Sequence, residues 1–406
     1  MGNSRSTLRI VAVSENNPYP RDVRVRPHME ALAGAGHEVT LICPRAQDQC
    51  WREMINGVRV YRFPTIEAGL HAASFVLEFF WATLVITILT LWVWIRHGMD
   101  VLHIFNPPES LFIAGLLPKL AGKMIVCDLR EVSPELYLSK YENSSRILYN
   151  LLVWMERVLC RLSDHIIVVN ESCRRVIAER NHLMPDRLSI VRQGPNLNEI
   201  SPTDPDPVIR SRAGIIIAFL GVMAKQDGID HLLLALHYLK QQFGHTDWLC
   251  VLMGSVEDQR SIESLAVKLG IYDRTWLPGY LPVHRWLPIL SSADICVEPC
   301  PTSPLNSLAT MQKIMDYMAL GKPTVAYDLH EHRFTAGEAA LYAVPNDPVD
   351  LARQMSRLIE NANLRIRLGM IGRHRIERQF AWQYQKPHLL SVYENLGKRK
   401  LGNSIT

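Results

Sequence analysis

The chain has 406 residues, more than one hydrophobic core accommodates, so two domains of ordinary size are expected. With 48% hydrophobic and 21% charged residues and a net charge of +4, it reads as a folded globular protein whose charge gives no reason to expect a nucleic-acid partner. Its eight cysteines form neither a Cys-x-x-Cys pair nor a group with histidine at ligand spacing, which fits reduced thiols in a cytosolic compartment and indicates no metal site.

Met1, Gly2 and Ser6 formally match the myristoylation pattern, one short enough to recur by chance. The polar lead runs straight into an apolar β-branched segment, Leu8 to Val13, so no signal peptide is expected. A polar loop, a helix-like stretch ended by Gly34 and Gly36, and a second strand beginning at Val39 complete the repeating unit of a parallel sheet. Further strands are expected at Val58–Phe63, Val101–Ile104, Met124–Cys127 and His165–Val169, and the alternation continues to about Val191. The stretch NEISPTDPDPVIRSRAG is rich in proline and aspartate and reads as an interdomain linker. The strands IIIAFLG, WLCVLMG, TWLPG, ICVEP and PTVAYD then rebuild the same pattern. The expected organisation is α/β: residues 1–200 with a hydrophobic insertion at 72–97, residues 201–380, and a helical tail, 381–406, that crosses back to the first domain.

The insertion contains FFWATLVITILTLWVWI, Phe79–Ile95, without a charged residue. That length is at the lower edge for crossing a bilayer, but the flanking strands should share one sheet, which places them on the same side of a membrane. Thr83, Thr87 and Thr90 fall on one helical face, with Phe80, Trp81, Leu84, Ile88, Leu91 and Trp92 spread over the others. Trp92 and Trp94 followed by Arg96 and His97 suit an interfacial helix, its threonine side on the protein and the rest in lipid. The alternative is a core helix buried between domains or in a dimer.

Four stretches lie on loops after expected strands, where open parallel sheets hold ligands. SENNPYPRDVRVRPH carries Asn16, Arg21, Arg24 and Arg26, a basic polar loop that reads equally as a solvated helix start. HIFNPPES places Asn106 before two rigid prolines. CDLREVSPELY puts Arg130 and Glu131 at a strand end, as a site or as a salt bridge. In the longest, a strand ends at Glu298, a loop carries Asn306 and Ser307, and a helix is expected from about Leu308, with Gln312, Lys313 and Asp316 on it. The N–H groups of that helix start suit a diphosphate, and Gly221 with Lys225 adds a glycine turn and a cation.

The motifs NPYPRDVRVRP, FNPPE, LREVSPELY, GVMAKQDGID and PLNSLATMQKIMDYMALGKP, in that order, resemble the GT-B glycosyltransferases of family GT4, specifically a bacterial membrane-associated subgroup. The resemblance covers about Leu8 to Leu396. It implies two Rossmann-like domains facing across a cleft and a retaining, metal-independent transfer of sugar from a UDP- or GDP-linked donor, with no cofactor. The implied acceptor is a saccharide, often on a polyprenyl diphosphate, in cell-surface polysaccharide assembly. On this resemblance Gly221, Lys225, Gly279, Tyr280, Glu298, Asn306, Leu308, Lys313 and Asp316 serve the donor. Asn16, Arg21, Arg24 and Asn106 serve the acceptor, and Arg130 and Glu131 the chemistry. Asp316 stands where the family has the second glutamate of an E-x7-E pattern, and Leu308 replaces the first. Val222 and Asp227 stand where many members have arginine and lysine, and Arg130 where a histidine often stands. An enzyme of this kind would be cytoplasmic, peripheral or monotopic on the inner face of the plasma membrane, attached through Phe79–Ile95. The competing readings are a nucleotide-sugar epimerase and a catalytically degenerate scaffold, the latter favoured by Leu308.

Overall fold

The computed structural model describes residues 7–66, 72–141 and 144–403; the myristoylation-like pattern at Met1, Gly2 and Ser6 lies outside them. The chain divides into two compact units, one ending at Gln193 and resuming at Gln385, the other Gly194–Tyr384.

The first unit holds one sheet of β1 (Arg9–Val13), β2 (Glu38–Pro44), β3 (Arg52–Ile55), β4 (Val58–Phe63), β5 (Val101–Asn106), β6 (Met124–Leu129), β7 (His165–Val168) and β8 (Leu188–Ile190). Their order is β3-β4-β2-β1-β5-β6-β7-β8, parallel throughout except where β3 meets β4. The β3–β4 hairpin turns on Asn56 and Gly57, both at positive φ, the pair that a two-residue hairpin turn favours. Central strands such as β5 are buried at every position, because helices cover both faces of a parallel sheet.

The helices of this unit are α1 (Val25–Gly34), α2 (Ala72–His97), α3 (Phe112–Leu120), α4 (Ser133–Lys140), α5 (Arg146–Leu162) and α6 (Glu171–Asn181), joined from Gln385 onward by the C-terminal helix Trp382–Asn403. The connections β4 to β5, β5 to β6 and β6 to β7 all step the same way across the sheet. Crossovers of one hand therefore put α2, α3 and α5 on one face, where α2 touches α3 and α3 touches α5. The β1-to-β2 connection steps the other way, which places α1 on the opposite face.

The apolar segment is thus a sheet-packed helix. Ala82, Thr83, Ile86, Thr90 and Val93 are buried, and Thr83 Oγ1 lies 2.6 Å from Ser110 Oγ. Leu77, Phe80, Leu84, Ile88, Trp92 and Ile95 recur at helical spacing and are exposed. A core helix would be mostly buried; only 28% of this apolar stretch is. Both its flanking strands lie in one sheet, so the helix runs along the unit.

The second unit is a six-stranded parallel sheet in the order β11-β10-β9-β12-β13-β14, made of β9 (Ile215–Leu220), β10 (Trp248–Met253), β11 (Thr275–Gly279), β12 (Ile295–Glu298), β13 (Thr324–Tyr327) and β14 (Ala340–Ala343). Strand alternation divides its core in two: Ile217 and Phe219 pack with Leu232 and Leu236, while Ile216 and Ala218 pack with Leu290 and Tyr317. The proline- and aspartate-rich stretch is no linker. Ile209 is buried, Asp206 accepts from Val208 and Ile209 N–H, and Arg210 reaches Asp294 Oδ2 at 2.6 Å, all inside this unit.

Candidate functional site

Each sheet has one point where successive connections leave in opposite directions, between β1 and β5 in the first unit and between β9 and β12 in the second. Beyond the strand ends at such a point the loops part and leave a crevice for ligand.

In the second unit the turns after β9 and β10 touch. A Cβ at Gly254 would come within 1.8 Å of Gly221 O, and one at Gly221 within 2.9 Å of Lys313 Cε; both glycines have φ values closed to most side chains, +139° and +152°. Lys313 enters from the first turn of the helix Gln312–Ala319. Its Nζ stands 3.3 Å from Asp227 Oδ1, 3.3 Å from Glu298 Oε2 and 4.5 Å from the Phe219 ring centroid. Burial opposes charge on this lysine, but Glu298 and Asp227 outweigh it and raise its pKa. Burial also raises the Asp227 carboxyl, against the pull of Lys313.

The helix expected from about Leu308 begins instead at Gln312. Residues 304–308 form turns, with Leu308 N–H donating to Leu305 O, because Asn306 fastens the loop: its Nδ2 donates to Gln226 O and Pro301 O at 2.9 and 2.8 Å. Asn306 is therefore 2% exposed and ties the loop to the glycine turn. Asp316 is partly buried, and desolvation pushes its carboxyl up to about 7 despite a 3.2 Å hydrogen bond from Gln312 Nε2. Lys225 is exposed in the short turn after Gly221. Gly279 accepts from Gly254 N–H and ends β11, followed by the exposed Tyr280. Gly221, Gly254, Gly279 and Glu298 thus share the C-terminal edge of the sheet, with Lys313 as the buried cation among them.

In the first unit, Asn16 and Arg21 are exposed after β1, and Arg21 pairs with Asp48 at 2.9 Å. Arg24 corrects the expectation of an open basic loop. Its guanidinium is fully buried, 2.6 Å from Asp128 Oδ1 and 3.0 Å from Val191 O, which satisfies the charge inside the fold. Burial would raise the Asp128 carboxyl, but Arg24 overrides that and holds it well below the usual range. His28 Nδ1 approaches the same carboxylate at 3.1 Å, and burial lowers His28 to about 4. His103, also lowered by burial, hydrogen-bonds Tyr393 of the C-terminal helix Trp382–Asn403. The ligand atoms of His28, His103 and Asp128 lie within 4.8 Å of one another, yet Arg24 already supplies the positive charge that a metal would bring.

Arg130, after β6, is held by Asp22: Nη1 donates to Asp22 Oδ2 at 2.7 Å. The other Asp22 oxygen accepts from Arg24 and Val25 N–H at 2.9 and 2.8 Å and anchors the start of α1. Glu131 is exposed, and Asn106 is buried at the end of β5. Sequence reasoning missed Asp22 and Asp128, carboxylates that position the noted cations, and also Glu15; it noted Asp227 only as a departure from the family pattern and not as a partner of Lys313. The Glu15 side chain is buried just after β1, where desolvation, with Glu78 adding, pushes it up to about 7. Asp22 had one readable signal, an aspartate just before a helix start.

Residues 22–194 match the Glycosyl transferase 4-like domain and residues 214–361 the Glycosyl transferases group 1 domain. The chain is 26% identical over 270 residues to alpha-maltose-1-phosphate synthase of Mycolicibacterium smegmatis, an alignment that covers 61% of this chain. It spans 67% of the length of that relative, and 64% and 56% of two other curated relatives. Among solved structures, sucrose-phosphate synthase from Thermosynechococcus elongatus superposes with a TM-score of 0.75 at 18% identity, covering 96% of this chain and 99% of the other. HepE of Anabaena, in complex with UDP and glucose, gives 0.72 at 12% identity, covering 96% and 100%. At these identities the structures establish the fold.

Proposed function

The chain belongs to the GT-B glycosyltransferases of family GT4, and from that premise we propose that it moves a sugar from a nucleoside-diphosphate donor, UDP- or GDP-linked, to a lipid-linked saccharide in cell-surface polysaccharide assembly, with retention at the anomeric carbon. The observation that carries the donor assignment is Lys313: a buried cation beside the Gly221 turn, at the switch point, next to the N–H groups that open its own helix. The UDP and glucose bound by the HepE neighbour are consistent with that donor class.

In this reading Gly221, Asn306 and the N–H groups from Gln312 onward frame the diphosphate, with Lys225 and Lys313 as its cations. Gly279 and Tyr280 border the base, Leu308 the sugar, and Asp316 accepts from the ribose hydroxyls. The bond from the anomeric carbon to the diphosphate oxygen breaks, and one to an acceptor hydroxyl oxygen forms on the same face. The acceptor's proton passes to the leaving phosphate, so no protein base is required. Arg130, fixed by Asp22, opposes the negative charge that develops on the leaving group, and Glu131 orients the acceptor hydroxyl. Asn16, Arg21 and Asn106 lie toward the acceptor. The buried Arg24 acts only through Asp128 and the start of α1.

The outward apolar stripe of α2 supports a lipid acceptor. A polyprenyl chain leaves a bilayer at a cost of about 0.8 kcal/mol per CH₂, so the enzyme goes to the acceptor, peripheral on the cytoplasmic leaflet. The second reading is a degenerate scaffold. It is favoured by Leu308 in place of a carboxylate and by the engagement of Lys313 with two carboxylates. Incubation with UDP- and GDP-sugars and a polyprenyl-diphosphate saccharide tests both: acceptor-dependent release of nucleoside diphosphate, with the donor's anomeric configuration kept in the product, is expected. Nucleotide binding without release under any pairing would favour the scaffold.

A further inference from the structure

We propose that the outward surface of α2, α3 and α5 together, and not α2 alone, is the face on which the first unit lies against an anionic lipid bilayer; the inference rests on the membrane reading of α2 and extends it to two helices that the apolar sequence segment does not include. The three helices form one surface. Thr83 of α2 hydrogen-bonds Ser110 at the entry to α3, and Phe112 of α3 stands edge-on to Trp154 of α5 with ring centroids 6.1 Å apart. Gly115 lets α3 sit close, since a Cβ there would come within 3.0 Å of Leu162 of α5 and 2.9 Å of Ile125 in the sheet.

What these helices turn outward is apolar. Ile95 of α2 is 86% exposed, Leu120 of α3 84% and Ile147 of α5 83%, with Phe80, Leu117 and Trp154 each above half. A surface of this extent on a soluble unit marks an interaction site. Its charges identify the occupant. Helix α3 contains no acidic residue, the one acid of α5, Glu156, is buried against Arg180 and Asn181, and the one acid of α2, Glu78, is partly buried near its start. Arg96, Arg146 and Arg161 are exposed at the helix ends. An apolar field rimmed by cations, with no outward carboxylate on its helices, complements acyl chains beneath anionic headgroups. A second copy docked on the same face would set arginines against arginines. Trp92 and Trp154 have the amphipathic side chain that settles at the headgroup level.

The test uses the full chain and sedimentation with two vesicle types, phosphatidylcholine alone and phosphatidylcholine mixed with phosphatidylglycerol. The wild type is expected to bind the mixed vesicles preferentially. Leu117→Glu with Leu120→Glu on α3, and separately Ile147→Glu on α5, leave α2 intact and change only exposed side chains; each is expected to lower the vesicle partition about tenfold or more. Arg146→Glu with Arg161→Glu should abolish the preference for phosphatidylglycerol. Variants of α3 and α5 that sediment like the wild type would overturn the three-helix face and leave attachment to α2 alone. A wild type that ignores both vesicles, or a dimer that the same substitutions dissociate, would also overturn it. Nucleotide-induced thermal stabilisation, measured on every variant, separates these outcomes from failure of the transferase reading.

Discussion

The Nζ of Lys313 stands 3.3 Å from Oε2 of Glu298, a carboxylate fully withdrawn from solvent at the end of β12. The pair fixes a positive charge against a glycine turn that has no room for another side chain. Lys313→Met leaves the buried Glu298 and the partly buried Asp227 without their counter-charge, a change that costs about 3–5 kcal/mol. Urea denaturation should show that loss, and nucleotide binding should weaken even where the variant remains folded. A conservative Lys313→Arg that also lost stability by several kcal/mol would show that packing under Phe219, rather than charge, holds the site.

Asp22 serves Arg130 and α1 at once, and two substitutions separate those duties. Asp22→Asn keeps an acceptor for the helix N–H groups but turns its amide N–H toward Arg130 Nη1, donor against donor, so transfer should slow at a stability cost of about 1–3 kcal/mol. Asp22→Ala removes both and should cost about 2 kcal/mol more. Equal turnover in Asp22→Asn and wild type would remove Arg130 from the chemistry.

The carboxyl of Asp316 is raised to about 7 from 3.8, so the folded state holds its proton more tightly than the unfolded chain does. Its contribution to stability is therefore full below pH 4 and is lost as pH rises toward 7, at about 1.4 kcal/mol for each pKa unit. Asp316→Asn should flatten that part of the stability curve. Because ribose hydroxyls donate best to an ionised acceptor, nucleotide affinity should rise more steeply between pH 6 and 8 in the wild type than in Asp316→Asn, where only the ionisation of the nucleotide's own terminal phosphate remains. Calorimetric titration across that range checks the contrast.

His28 has the opposite sign. Burial lowers it from 6.5 to about 4, so the unfolded chain takes up the proton first, and the stability present above pH 6.5 is lost as pH falls toward 4. His28→Gln should be less stable at pH 7 yet less steep in its acid limb. An unchanged slope between pH 6.5 and 4 would mean that the buried Arg24–Asp128 pair, not the imidazole, governs acid unfolding.

The parallel strands were legible because doubly covered strands are unbroken apolar runs, and the helical face of Thr83 and Thr90 because its period is strict. The β3–β4 hairpin carried a readable Asn56-Gly57 turn inside an otherwise polar stretch. The start of the Gln312 helix was not legible. The side chain of Asn306 reaches back to Gln226, eighty residues earlier in the chain, and such a tie leaves no local mark. For the same reason Arg24 read as a loop cation: its partner, Asp128, is more than a hundred positions away, and only folding makes them neighbours. The proline-rich stretch after Asn198 misled by composition, since its aspartates cap and pair within the second unit.

Thermal unfolding of the purified wild type and of Gly221→Ala with UDP, GDP, ADP and CMP shows whether a nucleoside diphosphate binds at the Gly221 turn. Gly221→Ala strains a backbone at φ +152° and directs a methyl group at Lys313. One diphosphate should stabilise the wild type progressively with concentration, following RT ln(1 + [L]/Kd), and should fail to stabilise the variant. A folded wild type whose melting temperature responds to none of the four, or a variant that responds equally well, would mean that the Gly221 turn holds no nucleoside diphosphate.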